Sequence, residues 1–250
     1  MSTMIDLNDY QTKVLSQWGQ DGVLEKIFDT IGVTNRFFVE FGSNGNDNGL
    51  GNTAQLRRKD FDGLLMDGSE RPYSANYNKE RNYKVQIEFI TASNINILFD
   101  KYNVPNEFDL LSIDVDGQDF HIWNALDVKY SPRVVTIEMN HMIEPGLDKV
   151  MDIKDDFVWE GDDKFGASVT SLKLLGIKKG YSLVATCMSD AVFVRNDLIY
   201  DKDTIPFFIN INDEHELVRR NIDIANELKN NYLYENQFNI PFFHNSTEYL

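Results

Sequence analysis

The chain has 250 residues, of which 42% are hydrophobic and 26% are charged, a composition typical of a folded globular domain rather than a disordered segment. The 24 Lys and Arg residues stand against 40 Asp and Glu residues, a formal net charge of −16 that disfavours nucleic acid as a partner. No apolar run approaches the about 20 residues of a membrane span, and the first residues show no secretory pattern. We therefore expect a cytoplasmic protein that binds neither membranes nor nucleic acid.

Short apolar stretches alternate with amphipathic ones along the chain, which predicts an α/β fold with a mostly parallel sheet. In chain order we predict a helix over 21–31, strands over 37–41, 63–68 and 83–89, a helix over 93–102, strands over 108–114 and 134–138, a helix over 168–179, a hairpin of strands 181–186 and 191–195, and a helix over 213–231. The Asp-rich segment 139–165 is longer than an ordinary connection, and we interpret it as a lid.

Acidic residues stand at the ends of three predicted strands, at Asp67, Asp114 and Glu138. A fourth, Glu40, precedes the glycine-containing turn 42–45. Ligands of open α/β sheets bind beyond the carboxyl ends of the strands, and glycine lets the backbone approach them closely. We expect Asp67 to accept hydrogen bonds from both hydroxyl groups of a ribose.

The turn after the first strand differs from two common nucleotide-binding patterns. Residues 42–47 read Gly-Ser-Asn-Gly-Asn-Asp, without the third glycine of a dinucleotide site, and the chain lacks the Gly-Lys-Ser/Thr of a P-loop. The acid before the turn also repels a pyrophosphate. A ligand with a ribose and a positive end is favoured instead, and S-adenosylmethionine has both.

Several segments of the chain resemble the Rossmann-like S-adenosylmethionine-dependent methyltransferases, and more narrowly the FkbM-like methyltransferases, which often modify sugars or natural products. The segments are 16–22, 39–45, 52–56, 109–119, 132–140, 179–181 and 191–194, within a region of about 15–197. The resemblance implies a seven-stranded, mostly parallel sheet flanked by helices, with strand order 3-2-1-4-5-7-6. One departure is Asp116, where relatives commonly carry Glu.

We place the methyltransferase domain in residues 1–200. Residues 201–250 would form a helical C-terminal extension that packs on the same domain or on a second subunit in a homodimer.

The resemblance implies S-adenosylmethionine as cofactor and a sugar hydroxyl as acceptor, in a nucleotide-linked sugar of surface-polysaccharide or natural-product biosynthesis. Its candidate cofactor-binding residues here are Gln20, Glu40, Gly42, Asn44, Asp67 and Asp114. The catalytic candidates are Asp114, Asp116 and His141, because a carboxylate or an imidazole would take the proton of the attacking hydroxyl. Trp159, in the predicted lid, is the best candidate for stacking on a sugar ring.

Some O-methyltransferases of this fold hold a divalent cation between the ends of strands four and five. The expected ligands here are Asp114, Glu138 and His141, with Asp116, Asp119 and Asn140 nearby. Oxygen and imidazole ligands suit Mg²⁺, Mn²⁺ or Fe²⁺. Such a cation would lower the pKa of the attacking hydroxyl. Its positive charge would also let an anionic nucleotide bind at an acidic site.

Other interpretations stay open. The same fold could methylate an amine or a carboxylate without a metal, or could serve as a non-catalytic binding protein. A nicotinamide oxidoreductase is disfavoured by the missing third glycine. Asp116 and Asp119 could simply cap the following helix, and His141 could be an ordinary loop residue.

Overall fold

The structure of the chain, a computed structural model, describes residues 4–42, 51–68, 85–200, 206–219 and 243–250. Asn44, the first two residues of the strand predicted over 83–89 and most of the helix predicted over 213–231 lie outside these ranges. Within the described ranges, no helix is both long enough and apolar enough to cross a lipid bilayer.

Nine strands and six α-helices are described. In chain order the strands are β1 (Phe37–Phe41), β2 (Asp62–Asp67), β3 (Val85–Ile87), β4 (Glu107–Ile113), β5 (Ser131–Glu138), β6 (Val150–Met151), β7 (Tyr181–Cys187), β8 (Asp190–Arg195) and β9 (Phe243–His244). The helices are α1 (Gln20–Ile31), α2 (Ala54–Arg57), α3 (Ile95–Lys101), α4 (Asp119–Ala125), α5 (Val169–Lys179) and α6 (Glu214–Arg219).

Seven of the strands form one sheet, in the order β3-β2-β1-β4-β5-β8-β7. Strands β1 to β5 pair in parallel, whereas β8 is antiparallel to both β5 and β7. The predicted α/β class with a mostly parallel sheet is confirmed. The strand order differs from the predicted 3-2-1-4-5-7-6 in its last two numbers. The reason is that β6, which lies outside this sheet, precedes the hairpin in the chain, so the hairpin strands are numbered β7 and β8.

Local sequence accounts for the buried face of α1 and for both ends of α5. Helix α1 buries Val23, Leu24 and Ile27, which recur at the spacing of one helical face. The Ser168 side chain caps the first turn of α5 by accepting a hydrogen bond from the Ser171 backbone, and the helix ends at Gly180 in the left-handed conformation.

Apolar side chains cover both faces of the seven-stranded sheet. One face packs against α3, α4 and α5, and its core includes Phe108 and Trp123, whose ring lies 5.0 Å from that of Phe193. The other face packs against α1, around Leu24 and Phe38. Because both faces of the sheet are covered, a ligand can reach it at the ends of the strands. Parallel strands bring their carboxyl ends to the same side of the sheet, which we call its carboxyl edge.

The segment 139–165, predicted to be a lid, leaves β5 and contains β6. Strand β6 pairs antiparallel with β9 from the C-terminal end of the chain, in a second, two-stranded sheet. The described C-terminal residues therefore contact their own chain, and α6 does so as well, because Leu217 accepts a hydrogen bond from Thr186 of β7.

Candidate functional site

A cavity of about 850 Å³ opens at the carboxyl edge of the sheet. The first residues after β1 and β4 and the last residues of β2 and β5 line it, at Gly42, Asp114, Asp67 and Glu138. The turn of the β7–β8 hairpin and the lid segment complete its wall. The predicted site residues Asp67, Asp114, Asp116, Glu138 and His141 all line this cavity.

Three carboxylates form a cluster within the cavity. Asp114, Asp116 and Glu138 each offer an oxygen, and these oxygens lie within 4.8 Å of one another. The predicted metal ligands were Asp114, Glu138 and His141. The structure groups the first two with Asp116, which was predicted as a catalytic residue, while His141 lines the cavity outside this group.

Burial and mutual repulsion make this cluster electrostatically costly. Burial, followed by repulsion from Asp190, raises the pKa of Asp114 well above its ordinary value. Burial, followed by repulsion from Asp114, does the same to the pKa of Glu138. Glu138 Oε2 is buried and has no hydrogen-bond partner among the described residues. A cation, or a bound proton, would satisfy this set of oxygens, and the donor set fits an oxygen-preferring divalent metal.

The loop after β4 is held in an unusual backbone conformation. Asp116 has φ +57° and Gly117 has φ +142°. The buried carboxylate of Asp119 accepts hydrogen bonds from the amides of Val115 and Gly117, at 2.8 and 2.9 Å. Burial nevertheless raises the pKa of Asp119 to about 6. Asp119 thus fixes the loop before α4, and the loop turns Asp116 towards the cluster.

The turn after β1 approaches β4 so closely that only glycine fits. Gly42 has φ +65°, and a Cβ built on it would lie 1.6 Å from the Asp114 carbonyl oxygen. This contact brings the two strand ends together at the floor of the cavity. The requirement for glycine at position 42 is therefore steric and independent of any ligand.

Glu40 and Gln20, predicted to bind the cofactor, do not line the cavity in the described part of the chain. The buried carboxylate of Glu40 instead accepts hydrogen bonds from the side chain and amide of Thr53, at 2.5 and 3.2 Å. Gln20 Nε2 donates to Asp190 Oδ2 at 2.6 Å. Both side chains therefore bind other groups of the protein, and Asn44, the remaining predicted cofactor residue, lies outside the described residues.

A buried polar network under the cavity centres on Asp190, which the sequence analysis missed. Asn52 Nδ2 donates to Asp190 Oδ2 at 3.0 Å and to Ser112 Oγ at 3.1 Å. Burial raises the pKa of Asp190 to about 6. Asp190 begins β8 directly opposite Glu138. The predicted hairpin could have indicated the position of Asp190. Its second strand runs antiparallel to the others and therefore begins at the edge where the parallel strands end.

The outer wall of the cavity combines an aromatic surface with acidic residues. The Trp159 ring lies 5.4 Å from Phe165, and its Nε1 donates to the Asp162 carbonyl at 2.7 Å. The side chain of Trp159 is held in this way although the residue is 41% exposed. The cavity lining includes seven carboxylates, and Lys154 is its single lysine or arginine among the described residues. The wall is therefore suited to neutral or cationic molecules.

Comparison with known proteins supplies no family assignment, because the chain matches neither a protein-family model nor a curated protein sequence.

Proposed function

We propose that the chain is an S-adenosylmethionine-dependent O-methyltransferase that acts on a sugar hydroxyl with the help of a divalent metal. The observation that supports this proposal is a single cavity with Asp67 at the end of β2 and the cluster of Asp114, Asp116 and Glu138 at the ends of β4 and β5. Two strand spacings, about 10 Å, separate β2 from β4. That separation suits a nucleoside at one end and a reacting sulfonium at the other.

Asp67 is the proposed ribose-binding residue. It is only 8% exposed and ends β2 at the cavity wall, where its two carboxylate oxygens would accept hydrogen bonds from the two ribose hydroxyls. The excess of carboxylates over lysines around the cavity favours the positive charge of the sulfonium. Gly42 and Asp114, in contact through the backbone, would lie beside the reacting methyl group.

Asp114, Asp116 and Glu138 would hold the metal, because their oxygens converge and Glu138 Oε2 lacks a hydrogen-bond donor among the described residues. A bound divalent cation supplies Lewis-acid chemistry, which lowers the pKa of a coordinated hydroxyl. His141, which lines the same cavity, would take the hydroxyl proton. The acceptor oxygen must then lie in line with the methyl carbon and the leaving sulfur, which is a matter of positioning.

The aromatic outer wall is the proposed acceptor site, with Trp159 stacking on the sugar ring. Asp155, Asp162 and Asp163 on the same wall repel a pyrophosphate, so a nucleotide-linked sugar would bind here only with a metal between it and the carboxylates. The cytoplasmic location expected from the sequence belongs to this proposal, since nucleotide-linked sugars are made there.

A second candidate is methyl transfer to an amine, and the charge of the same wall favours it. Seven carboxylates against one lysine attract a cationic acceptor more strongly than a neutral or anionic one. Turnover that survives a chelator and requires an amine would support this candidate over the metal-assisted reaction at a hydroxyl.

Calorimetric titration with S-adenosylhomocysteine tests the proposal, because the product cannot react during the experiment. We expect a dissociation constant in the micromolar range for the native chain. The Asp67→Ala variant loses two charge-assisted hydrogen bonds, and we expect its affinity to fall by at least about tenfold.

The matched control is Asp62→Ala, which removes an exposed carboxylate from the opposite end of the same strand and leaves the cavity untouched. Its affinity for S-adenosylhomocysteine should equal that of the native chain. Absence of binding by the folded native chain, with Mn²⁺ supplied, would overturn the cofactor assignment.

A further inference from the structure

The last eight residues, 243–250, form a segment that we call the C-terminal strap. Its first two residues are β9, which pairs with β6 in the lid segment. Three further hydrogen bonds hold the strap: Ser246 N donates to Asp148 Oδ1 at 3.0 Å, Asn124 Nδ2 to the Tyr249 carbonyl at 3.1 Å, and Lys178 Nζ to the Leu250 carbonyl at 2.8 Å. The strap thus bridges the lid segment, α4 and α5.

Side chains of the strap pack on both sides of β6. Phe243 is 7% exposed and packs in a small apolar cluster with Ile143 and Met151. His244 Nε2 lies 2.7 Å from Asp152 Oδ1. The Tyr249 ring meets the His121 ring of α4 edge-on, with 4.7 Å between the ring centroids.

The part of the lid under the strap packs directly on the loop that carries Asp116. A Cβ on Gly117 would lie 2.5 Å from Phe157 Cε1 and 3.3 Å from Met151 Sδ, so these two side chains touch the loop backbone. Gln118 donates to the Asp152 carbonyl at 3.0 Å and accepts from the Lys154 amide at 2.8 Å.

The loop needs such support because its conformation is intrinsically unfavourable. A residue other than glycine at φ +57°, as Asp116 is, persists when its surroundings hold it there. Asp119 holds the loop from below through two amide hydrogen bonds. Residues 151–157, on which the strap packs, also hold the loop through side-chain contacts and hydrogen bonds.

We propose that the C-terminal strap is a positioning element for the acidic cluster, because it presses residues 150–157 onto the loop 115–118 and so sets Asp116 against Asp114 and Glu138. Phe243 and Tyr249 are its positioning residues. The role in metal binding rests on the proposed function, whereas the mechanical coupling does not.

The strap contacts the lid segment, α4 and α5, whereas Asp67 ends β2, which is separated from β4 and β5 in the sheet by β1. Weakening the strap should therefore lower the affinity of the acidic cluster for a metal and leave the binding of a nucleoside at Asp67 unchanged. A general loss of stability would instead weaken both ends together.

The test uses the full chain with Phe243→Ala and, separately, Tyr249→Ala. Calorimetry with Mn²⁺ alone should show an affinity about tenfold lower than in the native chain, as is typical when the support of a metal ligand is lost. The affinity for S-adenosylhomocysteine should be unchanged. Amide hydrogen exchange should accelerate in residues 115–118 and 150–157 and stay native in β1 and β2.

Two conservative variants are the matched controls. Thr247→Ala alters an exposed residue of the same segment and should behave as the native chain. Tyr249→Phe keeps the ring on His121 and loses only a hydroxyl that lies 3.5 Å from Asp152, so it should retain native Mn²⁺ affinity.

The outcomes separate the inference from the proposed function. Native exchange rates in residues 115–118 of both alanine variants would overturn the inference, as would an equal loss of Mn²⁺ and S-adenosylhomocysteine affinity. If the native chain binds neither probe, the proposed function fails, and hydrogen exchange still decides whether the strap holds the loop.

Discussion

Strand β4 has a carboxylate near each of its ends, and the two carboxylates lie in opposite electrostatic environments. At the amino edge of the sheet, Asp109 is fully buried and accepts hydrogen bonds from the amides of Thr34 and Arg36. It also pairs with Arg133 at 2.8 Å, and this guanidinium donates to the carbonyls of Ile31 and Gly32 as well. The charge there is neutralised and its hydrogen-bonding groups are satisfied.

At the carboxyl edge, five residues further along, Asp114 faces other carboxylates instead of a cation. Burial and the neighbouring charges raise its pKa well above the ordinary value, and they raise the pKa of Glu138 in the same way. A protein gains no stability from such an arrangement, and unfavourable carboxylate clusters of this kind are typical of sites that bind something else. The comparison distinguishes an acid that stabilises the fold from acids that are available for function.

The largest effect is expected from Arg133→Met at the amino edge. This variant leaves Asp109 buried without its cation, and we expect the free energy of unfolding to fall by about 3–5 kcal/mol. Urea denaturation followed by circular dichroism measures the loss. The folded variant should keep native affinity for Mn²⁺ and S-adenosylhomocysteine. A decrease in the free energy of unfolding of less than about 1 kcal/mol would contradict a stabilising role for the Asp109–Arg133 pair.

A smaller effect of opposite sign is expected from Asp114→Asn at the carboxyl edge. Removing one charge from the cluster relieves repulsion, and we expect the free energy of unfolding to rise by about 0.5–2 kcal/mol while Mn²⁺ binding is lost. Asp116→Asn is the control, because Asp116 is exposed: it should also lose Mn²⁺ with little change in stability. A less stable Asp114→Asn variant would show that this carboxylate is structural.

A final prediction concerns the dependence of stability on pH. The pKa of Asp119 and that of Asp190 are raised to about 6 from an ordinary value of 3.8, so the folded chain binds more protons than the unfolded chain between these values. The free energy of unfolding should therefore fall as the pH rises from about 4 to above 6. Urea denaturation across this range measures the slope, and Asp190→Asn should reduce it. A rise in stability over the same range would contradict the raised values.

The longer helices and strands of the fold were predictable because each carries its own local pattern. The predicted helix over 168–179 appears as α5, between the Ser168 cap and Gly180, and the predicted hairpin over 181–195 appears as β7 and β8. Boundaries moved by one to a few residues: α3 begins at Ile95 rather than at 93. Strand β6 was not predicted, because two residues carry no periodicity and its partner β9 lies far along the chain.

The site was predictable to the extent that it follows from strand ends. The sequence placed Asp67, Asp114 and Glu138 at one edge, since parallel strands end together, and these residues do line one cavity. The place of Asp116 in the cluster depends on the positive φ of its loop, which Asp119 and Phe157 hold in place. The roles of Asn52 and Asp190 depend on a contact across 138 residues.

The amino-acid sequence by itself determined the α/β class, the positions of most helices and strands, and the acidic character of the carboxyl edge, because burial periodicity, caps and charge are local properties. Only the tertiary structure decided which acids have partners. Asp109 meets Arg133 from the neighbouring strand, Glu40 meets Thr53, and Asp114 meets other carboxylates. Yet Asp109 and Glu40 lie on the adjacent parallel strands β4 and β1, and Asp114 directly follows β4. The physical reason is that the energy of a buried charge depends on the groups within a few ångströms of it, which the fold brings together from distant parts of the chain.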